Sequence, residues 1–181
     1  MDPGTYQAFI DYFEAHPYLH SAGRSGIGDV GDAIKKSTNI QVEPTIMENE
    51  AHPFLTDYFQ QLHDCFQNYC TQWGILKDGF KDRFHIGSFN LQRYEAGGHF
   101  TAVHSERMGF NHIHRIFTWM TYLNDLPEGG ETEFTFYGVK VQPVAGITFI
   151  WPAEWTHGHR GCTMPSGLKY IVTGFIHLAL R

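Results

Sequence analysis

Cysteine is scarce in this chain, and basic residues are outnumbered. The three cysteines, Cys65, Cys70 and Cys162, are odd in number and form no CxxC spacing. Neither a disulfide framework nor a thiolate metal site organises such a chain. They read as reduced thiols in an intracellular setting, with Cys65 and Cys70 packed inside a helix. No uninterrupted apolar run approaches the roughly 20 residues that a membrane span needs. The N-terminal stretch MDPGTYQAFI lacks a basic segment followed by an apolar one. The expectation is a soluble, cytoplasmic protein with no membrane partner. Charged residues are only 18% of the 181, and 13 Lys and Arg face 19 Asp and Glu, for a net charge of −6. That balance disfavours a general phosphate-backbone binder, so nucleic acid is not an expected partner. Repeats, low-complexity tracts and domain-dividing linkers are absent.

What the chain does have is aromatic residues, at 15%, and 12 histidines, most of them after residue 84. Its length suits one domain, 1–181, with a core that needs no disulfide or metal staple. Apolar positions 6, 9, 10 and 13 predict a short helix over 5–15, ending before Pro17. The Gly-rich 21–33 reads as a surface loop, and 38–44 as a first strand. Positions 55, 58, 59, 62, 65, 66, 69, 70 and 73 follow the helical period through 54–73, between Pro53 and Gly74. From residue 84 the texture changes to short runs rich in β-branched and aromatic residues. Strands are expected at 84–94, 100–106, 115–125, 132–138, 139–146, 147–152 and 170–180. The pattern predicts a mainly β fold with supporting α-helices. Residues 1–83 supply the helical support and first strand, and 84–181 a double-sheet core carrying the site.

His104 and Glu106, in HFTAVHSERM, are one residue apart, so an extended strand puts both side chains on one face. A same-face His and carboxylate are two thirds of the facial triad that holds non-haem Fe(II). The third ligand lies downstream at His157 or His159, which share a face if the segment is extended. Two neutral imidazoles and one carboxylate leave Fe(II) a single positive charge and three open positions, which suits a chelating 2-oxo acid dianion. The far carboxylate of such a co-substrate needs a buried cation, and Lys169 is the evident candidate.

Four stretches now carry a resemblance: RYEAGGHFTAVHSE, RIFTWMTYLNDLPEGGETEF, VQPVAGITFIWP and HRGCTMPSGLKYIVTGF. Their order and spacing over about 88–178 resemble the Fe(II)/2-oxoglutarate-dependent dioxygenases of the prolyl-4-hydroxylase-like branch, with HxE in place of HxD. The resemblance implies a double-stranded β-helix, the jelly-roll or cupin-like core. It implies His104, Glu106 and His159 as iron ligands, and Lys169, Tyr94, Thr173 and Tyr122 as the co-substrate pocket. It implies Fe(II), 2-oxoglutarate and O₂, with ascorbate as an auxiliary reductant. The activity it implies is hydroxylation of an unactivated C–H bond, with succinate and CO₂ released. The substrate is then a protein or peptide, or a small molecule such as a free amino acid; oligomeric state is left open.

Other readings stand beside this one. A cupin-type metalloenzyme without 2-oxoglutarate would leave Lys169 no task, and a non-catalytic jelly-roll binding module would explain the unusual Glu. Gly or Ala at 106 would have opened a halide site, so Glu106 disfavours halogenase chemistry. Arg115 reads equally as a contact for an acidic substrate or as a loop anchor. Gly129 and Gly130 read as a tight turn, and the HxH of His112 and His114 as loop residues facing solvent or substrate.

Overall fold

Asp2 and Pro3 start the first helix of the computed structural model, which describes residues 2–23, 34–43, 45–46, 52–79 and 84–179. The Asp2 carboxylate accepts hydrogen bonds from the Gly4 and Thr5 amides at 2.9 and 3.3 Å, and Pro3 occupies a position where no amide hydrogen is needed. Helix α1 (Pro3–Ala15) buries Phe9 and Phe13. Helix α2 (Pro53–Thr71) buries Leu55, Tyr58, Phe59, Leu62, Phe66 and Cys70. Cys65 is exposed, against expectation. At about 100° per residue it lies at the edge of the stripe, where the helix surface already turns to solvent. Trp73 lies beyond the helix end and is exposed. A short helix α3 (Gly74–Gly79) follows. Among the described residues no helix is long and apolar enough to cross a membrane.

Among the described residues twelve strands complete the fold: β1 Ser21–Ala22, β2 Lys35–Lys36, β3 Thr38–Val42, β4 Phe84–Ile86, β5 Phe89–Tyr94, β6 His99–His104, β7 Arg115–Tyr122, β8 Thr132–Phe134, β9 Val139–Val141, β10 Thr148–Pro152, β11 His159–Gly161 and β12 Lys169–Leu178. They form two antiparallel sheets. The larger runs β1-β3-β5-β12-β7-β10, with β4 also on β12, and the smaller runs β2-β6-β11-β8-β9. Strands 5, 12, 7 and 10 against 6, 11, 8 and 9 is the double-stranded β-helix order. From β5 onward consecutive strands alternate between the sheets, except at the β8–β9 hairpin, as the mainly β jelly-roll expectation requires.

Several boundaries differ from expectation. Of the expected loop 21–33, Ser21 and Ala22 pair with β3, and 24–33 lie outside the described residues. Lys35 and Lys36 form an unforeseen strand on β6. Strand β6 ends at His104, two residues before Glu106, and β9 stops at Val141 ahead of Pro143. Pro143 has no amide hydrogen with which to continue pairing after β9, and after β6 the chain bends at Glu106.

The two faces of β12 explain where the site lies. Tyr170, Val172 and Ile176 join Phe89, Leu91, Phe117 and Trp119 under the helices, forming the main core. The alternate residues Lys169, Ile171, Thr173 and Phe175 face a cavity instead. Helices α1 and α2 thus cover one side of the larger sheet, and its other side is left to the site.

Candidate metal centre and its cavity

Strand pairing brings the metal candidates together. His159 of β11 is the cross-strand partner of His104 of β6. Glu106, in the bend after β6, swings its carboxylate between them, so that Oε1 lies 3.5 Å from both Nε2 atoms. These three are the one group of potential donors found converging among the described residues, with all ligand atoms within 4.8 Å of one another. His157 stays outside. Its ring packs 5.2 Å from that of Tyr137, and its backbone carbonyl faces His159 Nδ1 at 2.9 Å. Among the described residues the choice between the two histidines therefore falls on His159.

The hydrogen bonds of the two imidazoles fix their tautomers. His104 Nδ1 lies 2.9 Å from the Ala102 carbonyl, and His159 Nδ1 2.9 Å from that of His157. A carbonyl only accepts, so each Nδ1 carries a hydrogen, and Nε2 is the atom each ring turns toward Glu106. Opposite a carboxylate oxygen, each Nε2 needs a cation between the two, whether a proton or a metal. Metal-bound imidazoles are oriented in this way, by a backbone carbonyl on the opposite nitrogen. Donors about 2.1 Å from a first-row metal at right angles are about 3 Å apart. The Glu106 oxygen at 3.5 Å from each nitrogen is close to that spacing, and all three ligand atoms lie within 4.8 Å of one another, so the residue types and their convergence fit such a metal.

The position of Glu106 beyond the strand end is how the fold absorbs its additional methylene. Its backbone is not held in the β6 ladder, and Arg115 controls it instead. Arg115 donates to the Glu106 carbonyl at 3.2 Å, lies 3.9 Å from its Oε2, and rests over the Phe175 ring at 3.7 Å. Burial alone would raise the Glu106 carboxyl. The adjacent His104 and His159 outweigh it and hold the group well below the usual carboxylate range. An ion pair between Arg107 and Glu154 ties the loop after Glu106 to the one before His159.

The triad opens onto a cavity of about 550 Å³. Across it lies Lys169, buried, its Nζ donating to the Gly130 carbonyl at 2.8 Å and lying 4.5 Å from the ring centre of its cross-strand partner Tyr94. Gly129 and Gly130 both have positive φ, 73° and 70°, which aims that carbonyl inward. A Cβ on Gly129 would stand 2.8 Å from the Thr163 carbonyl oxygen. Burial lowers the Lys169 ammonium to about 8, against the pull of Cys162 and Glu131, and Lys35 pushes it the same way. Among the described residues Lys169 forms no ion pair.

The remaining expected residues divide. Tyr94 lines the cavity, and its hydroxyl donates to Gln92 Oε1 at 2.8 Å. Thr173 lines it too, but its hydroxyl hydrogen goes to the Trp119 carbonyl at 2.9 Å. Tyr122 does not reach the wall. It is fully buried behind Thr132, receiving that amide at 3.0 Å and donating to the Val141 carbonyl at 3.1 Å. Sequence reasoning missed Thr132, which takes the wall position, and Lys35. Neither carries a local signal; both reach the cavity through pairing between distant segments.

Comparison with known proteins accounts for this arrangement. The 2OG-Fe(II) oxygenase superfamily profile matches residues 89–177. Over those residues, just under half of its length, the chain is similar to that superfamily. Its name states its metal, iron(II), and its co-substrate, 2-oxoglutarate, in agreement with the cofactors expected. A probable prolyl 4-hydroxylase 9 of Arabidopsis thaliana is 29% identical over 120 residues, covering 52% of this chain and 42% of that one. The chain thus spans less than half the length of that relative. The fold is shared with a prolyl-4-hydroxylase of Pseudomonas putida, at TM-score 0.71 and 15% identity over 99% of this chain and 89% of that one. It is shared as well with a Trichoplax adhaerens prolyl hydroxylase in complex with a hypoxia inducible factor peptide fragment. That likeness has TM-score 0.72 and 14% identity over 97% of this chain and 77% of the other. The prolyl-4-hydroxylase-like branch is the one these relatives mark.

Proposed function

We propose that the chain is an Fe(II)- and 2-oxoglutarate-dependent dioxygenase. Its reaction is hydroxylation of an unactivated C–H bond in a peptidyl or free amino acid, with prolyl groups first. The observation that carries this reading is one cavity holding both a converging His104–Glu106–His159 donor set and Lys169, a buried lysine without an ion pair among the described residues. A metal enzyme on the same barrel that used no 2-oxo acid would leave that ammonium buried for nothing, at a substantial desolvation cost.

In this reading His104, Glu106 and His159 hold the iron. With 2-oxoglutarate and O₂, iron(II) supplies the oxidising power that turns C–H into C–OH, as the co-substrate leaves as succinate and CO₂. The chain's own work is placement. Lys169 meets the far carboxylate of the co-substrate, with the Tyr94 ring and the Gly130 carbonyl fixing its ammonium. Arg115 keeps Glu106 on the metal side. Met120, Ile171 and Phe175 give the cavity an apolar wall that keeps water from the reacting centre. Exposed Met108 and Phe110 at the cavity offer apolar surface to a substrate. The likeness to a prolyl hydroxylase solved with a peptide puts peptides first in the test.

The test is anaerobic loading with Fe(II), then succinate release in air against a panel of prolyl peptides, free amino acids and oligonucleotides. Substrate-stimulated succinate release is expected for a peptide or an amino acid. His159→Ala should abolish it and His157→Ala retain it. Lys169→Ala should raise the half-saturating 2-oxoglutarate concentration by tenfold or more and recover in part at high co-substrate. Full succinate release by His159→Ala, or iron binding with no 2-oxoglutarate consumed, sinks the reading.

A further inference from the structure

A second lysine shares the cavity, and nothing in the reading above uses it. Lys35 opens β2, a two-residue strand whose pairing with His99 and Phe100 places it beside the start of β6. The side chain is buried at 8% exposure and lines the cavity. Its Nζ lies 5.0 Å from the centre of the Phe100 ring, which in turn stacks on the His104 imidazole at 3.8 Å. The charge of Lys35 is felt by Lys169, and that of Glu106 by Lys35. Lys35 thus lines the same cavity as the metal donors and Lys169, the space a ligand joining the two must occupy. Among the described residues it forms no ion pair. It also lies well outside residues 89–177, the part that carries the superfamily match.

Charge accounting makes this unusual. A buried ammonium without an anion is costly, and two facing one cavity add mutual repulsion. The fold keeps both. One ligand of two negative charges, lying between them and the metal, would relieve both at once. Burial lowers the Lys35 ammonium to about 8, with Glu106 opposing, so it is charged at neutral pH.

We infer that Lys35 is a second co-substrate-binding cation, which grips the 2-oxoglutarate dianion from the β2 side of the cavity while Lys169 holds its far carboxylate. The inference rests on the 2-oxoglutarate-dependent reading. It makes the N-terminal segment part of the co-substrate site rather than only support for the sheet. It also makes the cavity selective for a dianion over a monoanionic 2-oxo acid of similar length.

The experiment is calorimetric titration of 2-oxoglutarate, and of monoanionic 2-oxopentanoate, into the Mn(II)-loaded protein without O₂, together with melting of the ligand-free protein. Lys35→Met should weaken 2-oxoglutarate at least tenfold, leave Mn(II) affinity within threefold, and weaken 2-oxopentanoate much less. Lys35→Arg should recover most of the loss. The ligand-free Lys35→Met protein should melt at the wild-type temperature or above it, because an uncompensated buried charge has been removed. A merely structural lysine would lower melting and leave 2-oxoglutarate binding intact, and that pair of results overturns the inference. If Lys35→Met does not fold, Lys35→Gln takes its place under the same criteria. Should Lys169→Met lose 2-oxoglutarate while Lys35→Met keeps it, Lys35 is refuted and the enzyme reading stands. If the wild type binds Mn(II) but no 2-oxoglutarate, the enzyme reading falls as well.

Discussion

A single guanidinium decides how well Glu106 is aimed. With the strand ending at His104, the ligand pair is no longer held on one face by the β6 ladder. Arg115 substitutes for that constraint by gripping the Glu106 carbonyl and facing its carboxylate. Arg115→Met keeps the apolar packing on Phe175 and removes the hydrogen bond and the charge. Metal affinity should then fall by about tenfold, the lower end of what losing an outer partner costs. Mn(II) titration followed by paramagnetic resonance measures it, and unchanged affinity would mean that the bend holds Glu106 without help. The sequence disclosed this scale unevenly. His104, Glu106, His159 and Lys169 were legible because their spacings repeat a known chemistry. The role of Arg115 was evenly balanced, and Lys35 was invisible, since its neighbours Phe100 and Lys169 come from strands far away in the chain.

At the scale of elements, α2 was the easiest to read and its energetics are the simplest to test. Its apolar stripe meets β4, β5 and β7, with Phe66 edge-on to Phe84 and Phe59 edge-on to both Phe89 and Trp119 at 5.1 and 6.1 Å. Phe59→Ala removes a nearly buried ring from that layer and should destabilise the fold by about 3–5 kcal/mol in urea unfolding. Tyr58→Phe should lose only about 1 kcal/mol, because Thr121 keeps its second partner, Thr148, at 2.8 Å when the Tyr58 hydroxyl is gone. Equal losses from both would show that the hydroxyl network, and not ring burial, holds the helix down. Short strands were harder to bound than this helix. Three-residue β8, β9 and β11 carry too little alternation to mark their own ends, and β2 carries none; neighbouring strands and turns set those limits.

The whole molecule joins fold and site through electrostatics. Folding keeps two ammonium groups in one cavity, both lowered to about 8 from an ordinary 10.5. Lys169 is faced by Tyr94 from β5, by Lys35 from β2, and by Cys162 and Glu131 from the loops around it, while Lys35 is faced by Glu106 and Lys169. Below about pH 8 both lysines are protonated whether the chain is folded or not, and the full burial penalty weighs on the folded state. Between about 8 and 10.5 the unfolded chain holds the more protons, so the ligand-free protein gains stability as pH rises through that window. Co-substrate binding runs the other way. A dianion needs the ammonium forms, so its affinity is flat below about pH 8 and falls above it, by up to about one decade per pH unit for each lysine that must be reprotonated. Melting of the metal-free protein from pH 7 to 10 should therefore rise while the 2-oxoglutarate dissociation constant, measured on Mn(II) protein from pH 7 to 9, rises too. Lys35→Met should flatten both slopes by removing one of the two protons. Parallel loss of stability and affinity on raising pH would instead mean that these lysines are compensated in the ligand-free fold, with no charge held ready for a dianion.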